Sequence, residues 1–210
     1  MRRAAAGALV VAGVVCAAGT ARAQTAGDMR RDLDGYYHGE QTSAYVIGGM
    51  GLAAAGGGAY LVTRKSDFAR ALGWTWIGMG GLETIGAAFY ALQVDGEIDH
   101  YRAALARDPA AYRSEELDHM HGTSSRFTAY RATELGLVVA GAGMAIYGLV
   151  TKRDVWKGVG AGVVSLSLPL LVIDSVNNAR ANRYIDSVGR FQPSVAATPG
   201  GLRVALGGAF

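Results

Sequence analysis

Hydrophobic and polar positions fall along this chain in long blocks rather than in short periods. Four blocks are apolar and nearly free of charge, none contains Lys or Arg, and they cover residues 44–63, 72–92, 133–150 and 158–176. Each block approaches or reaches the roughly 20 residues that a helix needs to cross a bilayer. Helices of a soluble bundle would each carry a polar face, and these blocks carry none. The pattern therefore predicts four transmembrane helices.

Small residues are frequent in the same blocks, and the chain has 31 Gly in total. Several recur at the four-residue spacing of one helix face: Gly49/Ala53/Gly57, Gly136/Ala140 and Gly158/Gly162. Lipid provides no hydrophobic drive for helices to associate, so membrane helices pack through small residues that let their backbones approach closely. These stripes predict a compact four-helix bundle.

Two signals give the orientation of the bundle. Residues 1–23 have a positive start, a short apolar run and a small-x-small site at Ala21-Arg22-Ala23, which is typical of a signal peptide cleaved before Gln24. The alternative is an uncleaved N-terminal anchor. The linkers 63–71 and 151–157 hold all three lysines of the chain, which places them in the cytoplasm. We expect a multi-pass protein of the bacterial inner (cytoplasmic) membrane with both termini of the mature chain in the periplasm.

The two linkers resemble each other. Residues 61–73 (LVTRKSDFARALG) align with residues 149–160 (LVTKRDVWKGVG) with one residue skipped, and the register continues to Ile98 against Ile185. The match predicts a duplication into two tandem helical hairpins, residues 44–92 and 132–176, related by an axis along the membrane normal. The expected fold class is an all-α membrane protein, a four-span transmembrane helical bundle with a short extended C-terminal tail.

The remaining segments are expected on the periplasmic side: an N-terminal segment, a helical segment and a tail, at residues 24–43, 93–131 and 177–210. Asp108 followed by Pro109 is typical of an N-cap and the first helical position. The helix that starts there is expected to be interrupted near residues 122–125. In the tail, residues 199–201 (PGG) predict a turn between two short extended runs.

Composition narrows the possible functions. The net charge of +3 comes without an Arg/Lys stripe interleaved with aromatic residues, which argues against nucleic-acid binding. The only cysteine, Cys16, lies in the leader, so the mature chain can form no disulfide and has no thiol nucleophile. We find no nucleophile elbow, phosphate-binding loop or paired acid and base. The expectation is therefore a protein that is not an enzyme and has no cofactor.

Glu83 is the unusual residue of the apolar blocks. It lies about 20 Å into the membrane from the preceding linker, slightly past the midplane of a hydrocarbon core about 30 Å thick. A lone carboxylate at that depth marks a functional-site hypothesis. The matching depth in the fourth block is Leu170, near Ser165 and Ser167. We therefore predict an intramembrane polar site of Glu83, Ser165 and Ser167. A neutral Glu83 bonded to Ser167 would join two helices, and a titrating Glu83 would be a proton or cation site.

Two further candidates lie nearer the predicted periplasmic side. Arg131 and Glu134 are three residues apart, which predicts an interfacial ion pair on one helix face. Glu115 and His119 share a helix face at i,i+4 and could form a divalent-metal site together with His100. The alternative for these three residues is a solvated surface.

These features support two functional hypotheses. The first is a non-enzymatic scaffold or accessory subunit that presents its periplasmic segments to an unknown protein of a cell-envelope complex. The second is a small ion or solute transporter or channel that uses Glu83 as its coupling site. In both, the bilayer surrounds the spans, and a second copy of the chain is a further possible partner.

Overall fold

The computed structural model of this chain describes residues 24–193, and it has four helices and no strand within that range. The helices are α1, α2, α3 and α4, at Ala26–Val62, Asp67–Arg107, Pro109–Val150 and Asp154–Arg190. The all-helical prediction is confirmed for this part of the chain. The predicted leader and the turn predicted in the tail lie outside the described residues.

Local capping explains where two of the helices begin. Thr25 and Asp28 form a capping box, in which each side chain accepts a hydrogen bond from the other residue's backbone N–H. Asp108 caps α3 as predicted, because its carboxylate accepts from the next two free N–H groups at 3.0 and 3.1 Å and Pro109 occupies the first helical position. The predicted N-cap at Asp108 is confirmed.

All four helices continue beyond their apolar blocks at the same end of the bundle. The predicted interruption near residues 122–125 is wrong, because α3 runs through it without a break. A single Gly inside a helix costs only about 1 kcal/mol, and packing of the neighbouring residues offsets that cost. We call the extended end the head and the rest the apolar half: the head comprises residues 24–43, 93–132 and 177–193, and the apolar half residues 44–92 and 133–176.

The apolar half carries its large hydrophobic side chains on the outside. In α1, α3 and α4 the most apolar stretches have mean hydropathies of 1.4, 1.6 and 1.9, and only 17, 17 and 33% of their residues are buried. These three helices are long and apolar enough to cross a membrane. Glu83 and the tryptophans of α2 make it less apolar. Because α2 packs along α1, we expect it to cross as well, and that fourth span stays a prediction.

Glycines bring the helices of the apolar half together. A Cβ added at Gly51 would lie 2.5 Å from the carbonyl oxygen of Gly80, and one at Gly58 would lie 2.5 Å from that of Gly73. In the other hairpin Gly160 lies directly against the backbone of α3. The α1–α2 and α3–α4 hairpins join mainly through α2 and α4, which leaves α1 and α3 on the outside.

Only one of the three predicted glycine stripes lies at a helix contact throughout. Gly158 and Gly162 both face α2, as the four-residue spacing suggested. In contrast, Gly49 and Gly136 face open space, and the contacts of their helices use the neighbouring stripes with Gly51 and Gly141. Spacing reveals that a stripe exists, but the rotation of each helix decides which stripe meets a partner.

The two linkers turn at equivalent residues. Helices α1 and α3 end at Val62 and Val150, which the sequence alignment pairs, and α2 and α4 begin at the paired residues Asp67 and Asp154. The shorter second linker closes through Lys152 in the left-handed region, with φ of 56°. This correspondence agrees with a duplicated hairpin, although the duplication itself stays a prediction.

The head has a core of large side chains from all four helices. Its members are Met29, Leu33, Tyr36, Tyr37, Val94, Ile98, Tyr101, Leu105, Tyr112, Met120, Phe127, Ala181, Tyr184, Val188 and Phe191. The rings of Tyr36 and Tyr184 stack with centroids 4.6 Å apart. The head is therefore packed as a water-surrounded helical bundle is, through apolar seams at three- and four-residue spacing.

Candidate functional site: an acidic cavity between the hairpins

A cavity of about 320 Å³ lies between the two hairpins where the head meets the apolar half. Pockets for small molecules usually measure roughly 300–1,000 Å³, so its size suits a small ligand. Its residues come from all four helices, and it extends from His119 in the head down to Glu83 in the apolar half.

Three carboxyl groups line the deep end of the cavity, one each from α2, α3 and α4: Glu83, Glu134 and Asp174. Glu134 and Asp174 are each only 8% exposed, and their side chains are direct neighbours. Both carboxyl oxygens of Glu83 and Oε2 of Glu134 are buried without a hydrogen-bond partner. Within residues 24–193 none of the three forms a salt bridge.

The predicted bond between Glu83 and Ser167 is not formed. Ser167 is fully buried, and its hydroxyl, like the Glu83 carboxyl, has no partner. Ser165 lies closer to the linker end, where it accepts a hydrogen bond of 2.8 Å from Nε1 of Trp76. The predicted polar site therefore divides, with Glu83 in the cavity and Ser165 in the contact that closes the bundle below it.

The predicted ion pair between Arg131 and Glu134 does not form a salt bridge within the described residues, although the charge of Arg131 still acts on Glu134. Residues three apart on a helix are rotated by about 60° from each other, which is enough to separate an inner from an outer face. Here Arg131 is exposed, whereas Glu134 is buried and faces Asp174. The acid that was expected to be neutralised on the surface thus joins Glu83 in the cavity.

The shallow end of the cavity has mixed charge. Oε2 of Glu97 lies 3.7 Å from Nε2 of His119, and Arg126 lines the same end. Burial lowers the pKa of His119, and the negative charge of Glu97 opposes that effect. The charges here partly compensate one another, unlike those at the deep end.

The cavity opens sideways, between α2 and α3. Its exposed lining residues are Gly86 and Gln93 of α2 and Arg126 and Tyr130 of α3. These two helices touch each other at few positions, so a gap remains between them. The mouth therefore spans the boundary between the head and the apolar half, with Gln93 and Arg126 on the head side, at the level where lipid headgroups would lie, and Gly86 within the apolar half.

The three residues of the predicted metal site do not come together. His100 and Glu115 form a contact of 2.7 Å between Nε2 and Oε1, whereas His119 turns towards Glu97. In the described part of the chain no group of three or more metal-ligating side chains is suitably placed. A helix-face spacing placed Glu115 near His119, but the ring of His119 points into the bundle.

Sequence reasoning missed a buried acid in the head core. Glu116 is fully buried, and the hydroxyl of Tyr37 donates to its Oε1 at 3.0 Å. Burial raises the pKa of Glu116 to about 8, although hydrogen bonding from tyrosine hydroxyls acts in the opposite direction. Its position between Tyr112 and Met120 at four-residue intervals was the signal, because it places Glu116 on the apolar seam of α3.

A second buried acid, Glu40, lies closer to the cavity. The hydroxyl of Tyr90 donates to its Oε2 at 2.6 Å, and Nη1 of Arg180 lies 3.6 Å from its Oε1. Burial raises the pKa of Glu40, and the Tyr90 hydrogen bond and the Arg180 charge both oppose that rise. Unlike the deep acids of the cavity, Glu40 thus forms a salt bridge within the protein, although its Oε1 has no hydrogen-bond partner.

Comparison of the chain with protein families, curated proteins and solved structures finds no match.

Proposed function

We propose that this chain is a small membrane transporter whose solute site is the cavity between the hairpins. The observation that supports this function is the depth of the cavity, which brings about 320 Å³ of accessible space to Glu83 within the apolar half. Ionisable groups at membrane depth are costly, and those that face a cavity are typical of substrate and ion pathways. A scaffold would need no such opening.

The helices close the bundle below the cavity. Trp76 of α2 is hydrogen-bonded to Ser165 of α4, and a Cβ added at Gly162 would lie 2.8 Å from Thr75. The cavity thus opens near the head and is closed towards the linkers, as in one state of an alternating-access carrier. Rocking of the two hairpins about the α2–α4 contact would supply the other state, and the equivalent linker turns support such a two-part arrangement.

The scaffold hypothesis stays a prediction, and the surface of the head gives it little support. Among the described residues, the exposed large hydrophobic side chains all lie in the apolar half, except Tyr130 at the border of the head. A protein partner of the head would therefore bind a polar surface. The inner-membrane location and a periplasmic head also stay predictions, based on the lysines of the linkers.

The test is solute flux in proteoliposomes that contain the full chain. Radiolabelled rubidium ion, tetraethylammonium and mannitol serve as probes of a small cation, a large cation and a neutral solute. Gly86→Phe would place a ring in the mouth of the cavity, whereas Gly78→Phe makes the same change on the same helix outside the cavity. A Cβ at either position meets nothing within 4 Å, so both variants should fold.

We expect flux of at least one probe, abolished by Gly86→Phe and retained by Gly78→Phe. Absence of flux for all three probes would exclude the transporter, as would equal flux through the two variants. In that case, a protein that crosslinks reproducibly to the head would favour the scaffold.

A further inference from the structure

We propose that the cavity binds an organic ammonium group, held between the carboxylates of Glu134 and Asp174 at its deep end. This inference names the class of solute and rests on the proposed function for its biological context. The binding itself can be tested separately from transport.

The first argument is charge. Glu134 is more than nine-tenths buried, lines the cavity and has an oxygen without a hydrogen-bond partner. Asp174 lies beside it and Glu83 lines the same end. Of the described residues, no Lys, Arg or His lines that end of the cavity, and Arg131, whose charge acts on Glu134 and Asp174, is exposed outside the lining. Two buried carboxyl groups in contact avoid the cost of burying charge by sharing a proton. A cation that enters the cavity can take the place of that proton, so this end is complementary to a cation.

The second argument is size and wall chemistry. A cavity of about 320 Å³ is far larger than a bare metal ion requires. Its walls include the aromatic rings of Tyr36, Tyr90, Phe127 and Tyr130. Aromatic faces attract organic cations, most strongly when the cation is removed from water. An ammonium group that carries carbon substituents would use both the carboxylates and the rings.

The third argument is the position of the mouth, which permits two sources of the same group. A soluble amine could enter from the aqueous side of the head. The headgroup of an aminophospholipid could instead enter sideways between α2 and α3, with its phosphate near Arg126 at the rim. Both ligands would place an ammonium group against Glu134 and Asp174.

The experiment measures equilibrium binding of radiolabelled tetraethylammonium and ethanolamine to the full chain in nanodiscs of phosphatidylglycerol, a lipid without an ammonium group. We expect saturable binding that is lost in Glu134→Gln and in Asp174→Asn. Asp99→Asn removes an exposed acid of the head and should bind as the unchanged protein does. If Glu134→Gln or Asp174→Asn fails to fold, Gly86→Phe and Gly78→Phe replace them. Gly86→Phe blocks the mouth of the cavity and should abolish binding, whereas Gly78→Phe should not.

Replacing part of the lipid by phosphatidylethanolamine separates the two sources. Competition with the soluble probes indicates a lipid headgroup, and unchanged binding indicates a soluble amine. The proposal would be overturned if neither probe binds. It would also be overturned if folded Glu134→Gln and Asp174→Asn bind the probes as well as the unchanged protein does. If mannitol or rubidium flux is abolished by Gly86→Phe but neither amine binds, the transporter function stands and only the ammonium class of solute is rejected. If an amine binds but no probe shows flux, the ammonium site stands and the transporter function is rejected.

Discussion

The head and the apolar half are built from the same four helices, yet opposite kinds of residue join them. In the head, Tyr37 and Tyr112 are almost fully buried between helices. In the apolar half, glycines such as Gly51 and Gly80 form the contacts, and large side chains such as Leu82 and Phe89 point outwards. Water drives apolar groups into a core, whereas lipid does not, so only close backbone packing distinguishes the inside of a membrane bundle.

The two halves also carry different spectroscopic reporters. All three tryptophans, Trp74, Trp76 and Trp156, lie at or near the linker end of the apolar half. Five of the ten tyrosines lie in the core of the head. Tryptophan fluorescence therefore follows the apolar half, and near-ultraviolet circular dichroism of packed tyrosines follows mainly the head.

The largest effect is expected from a bulky residue at a glycine contact of the apolar half. In Gly80→Leu the new Cβ would lie 2.5 Å from the carbonyl oxygen of Gly51, and neither backbone can yield without separating α1 from α2. We expect no folded, monodisperse protein in detergent by size-exclusion chromatography. Gly78→Leu, two residues away, faces open space and should purify normally. Equal yields of the two variants would contradict glycine-mediated packing.

A smaller effect, confined to the head, is expected from loss of a core ring. Tyr37→Ala removes a buried aromatic side chain and should lower the free energy of unfolding of the head by about 3–5 kcal/mol. Tyr37→Phe removes only the hydroxyl that donates to Glu116, at a cost of about 1–3 kcal/mol. Urea titration should shift the tyrosine dichroism to lower urea and leave the tryptophan fluorescence transition in place. Parallel shifts of both signals would mean that the halves unfold as one unit.

The sequence predicts well those features that are determined by residues close together in the chain. The apolar blocks became helices, and α3 begins at Asp108-Pro109 because a cap and a proline act within one turn. The burial of Glu40 and Glu116 was missed because acids are usually exposed. The seam spacing around Glu116 indicated its burial, but the partner helices decide which side chains pair with it. The true neighbours of Glu83 were missed for the same reason, since helix rotation about its axis decides whether it faces Ser167 or Glu134.

Glu116 makes the stability of the head depend on pH. Its pKa is about 8 in the folded head and close to 4.5 in an unfolded chain, so the folded state binds the proton more tightly. Its contribution is complete below about pH 4.5 and is lost as the pH rises towards 8, by up to about 1.4 kcal/mol per pH unit. Glu40 acts in the same direction. Glu116→Gln, which cannot ionise, should reduce the fall in the head's urea midpoint between pH 5 and pH 8.5.

The tryptophan transition is the control for that pH series, because Glu116 lies outside the apolar half. It should change little in the same titrations of the unchanged protein. A head midpoint that rises with pH, or an equal pH dependence in Glu116→Gln, would show that Glu116 is not held neutral in the folded head.

The smallest expected effect concerns two glycines of α1 in the head. A Cβ at Gly39 would lie 2.5 Å from the guanidinium carbon of Arg180, which passes over this glycine to approach Glu40, whereas one at Gly35 meets nothing within 4 Å. Replacing Gly by Ala within a helix stabilises it by up to about 1 kcal/mol, so Gly35→Ala should raise the urea midpoint of the head. In Gly39→Ala the flexible Arg180 side chain must move away from the buried Glu40 carboxylate, which should offset that gain by about 1 kcal/mol or more. If the two variants are equally stabilised, the Arg180 side chain moves away from Gly39 at no cost to the stability of the head.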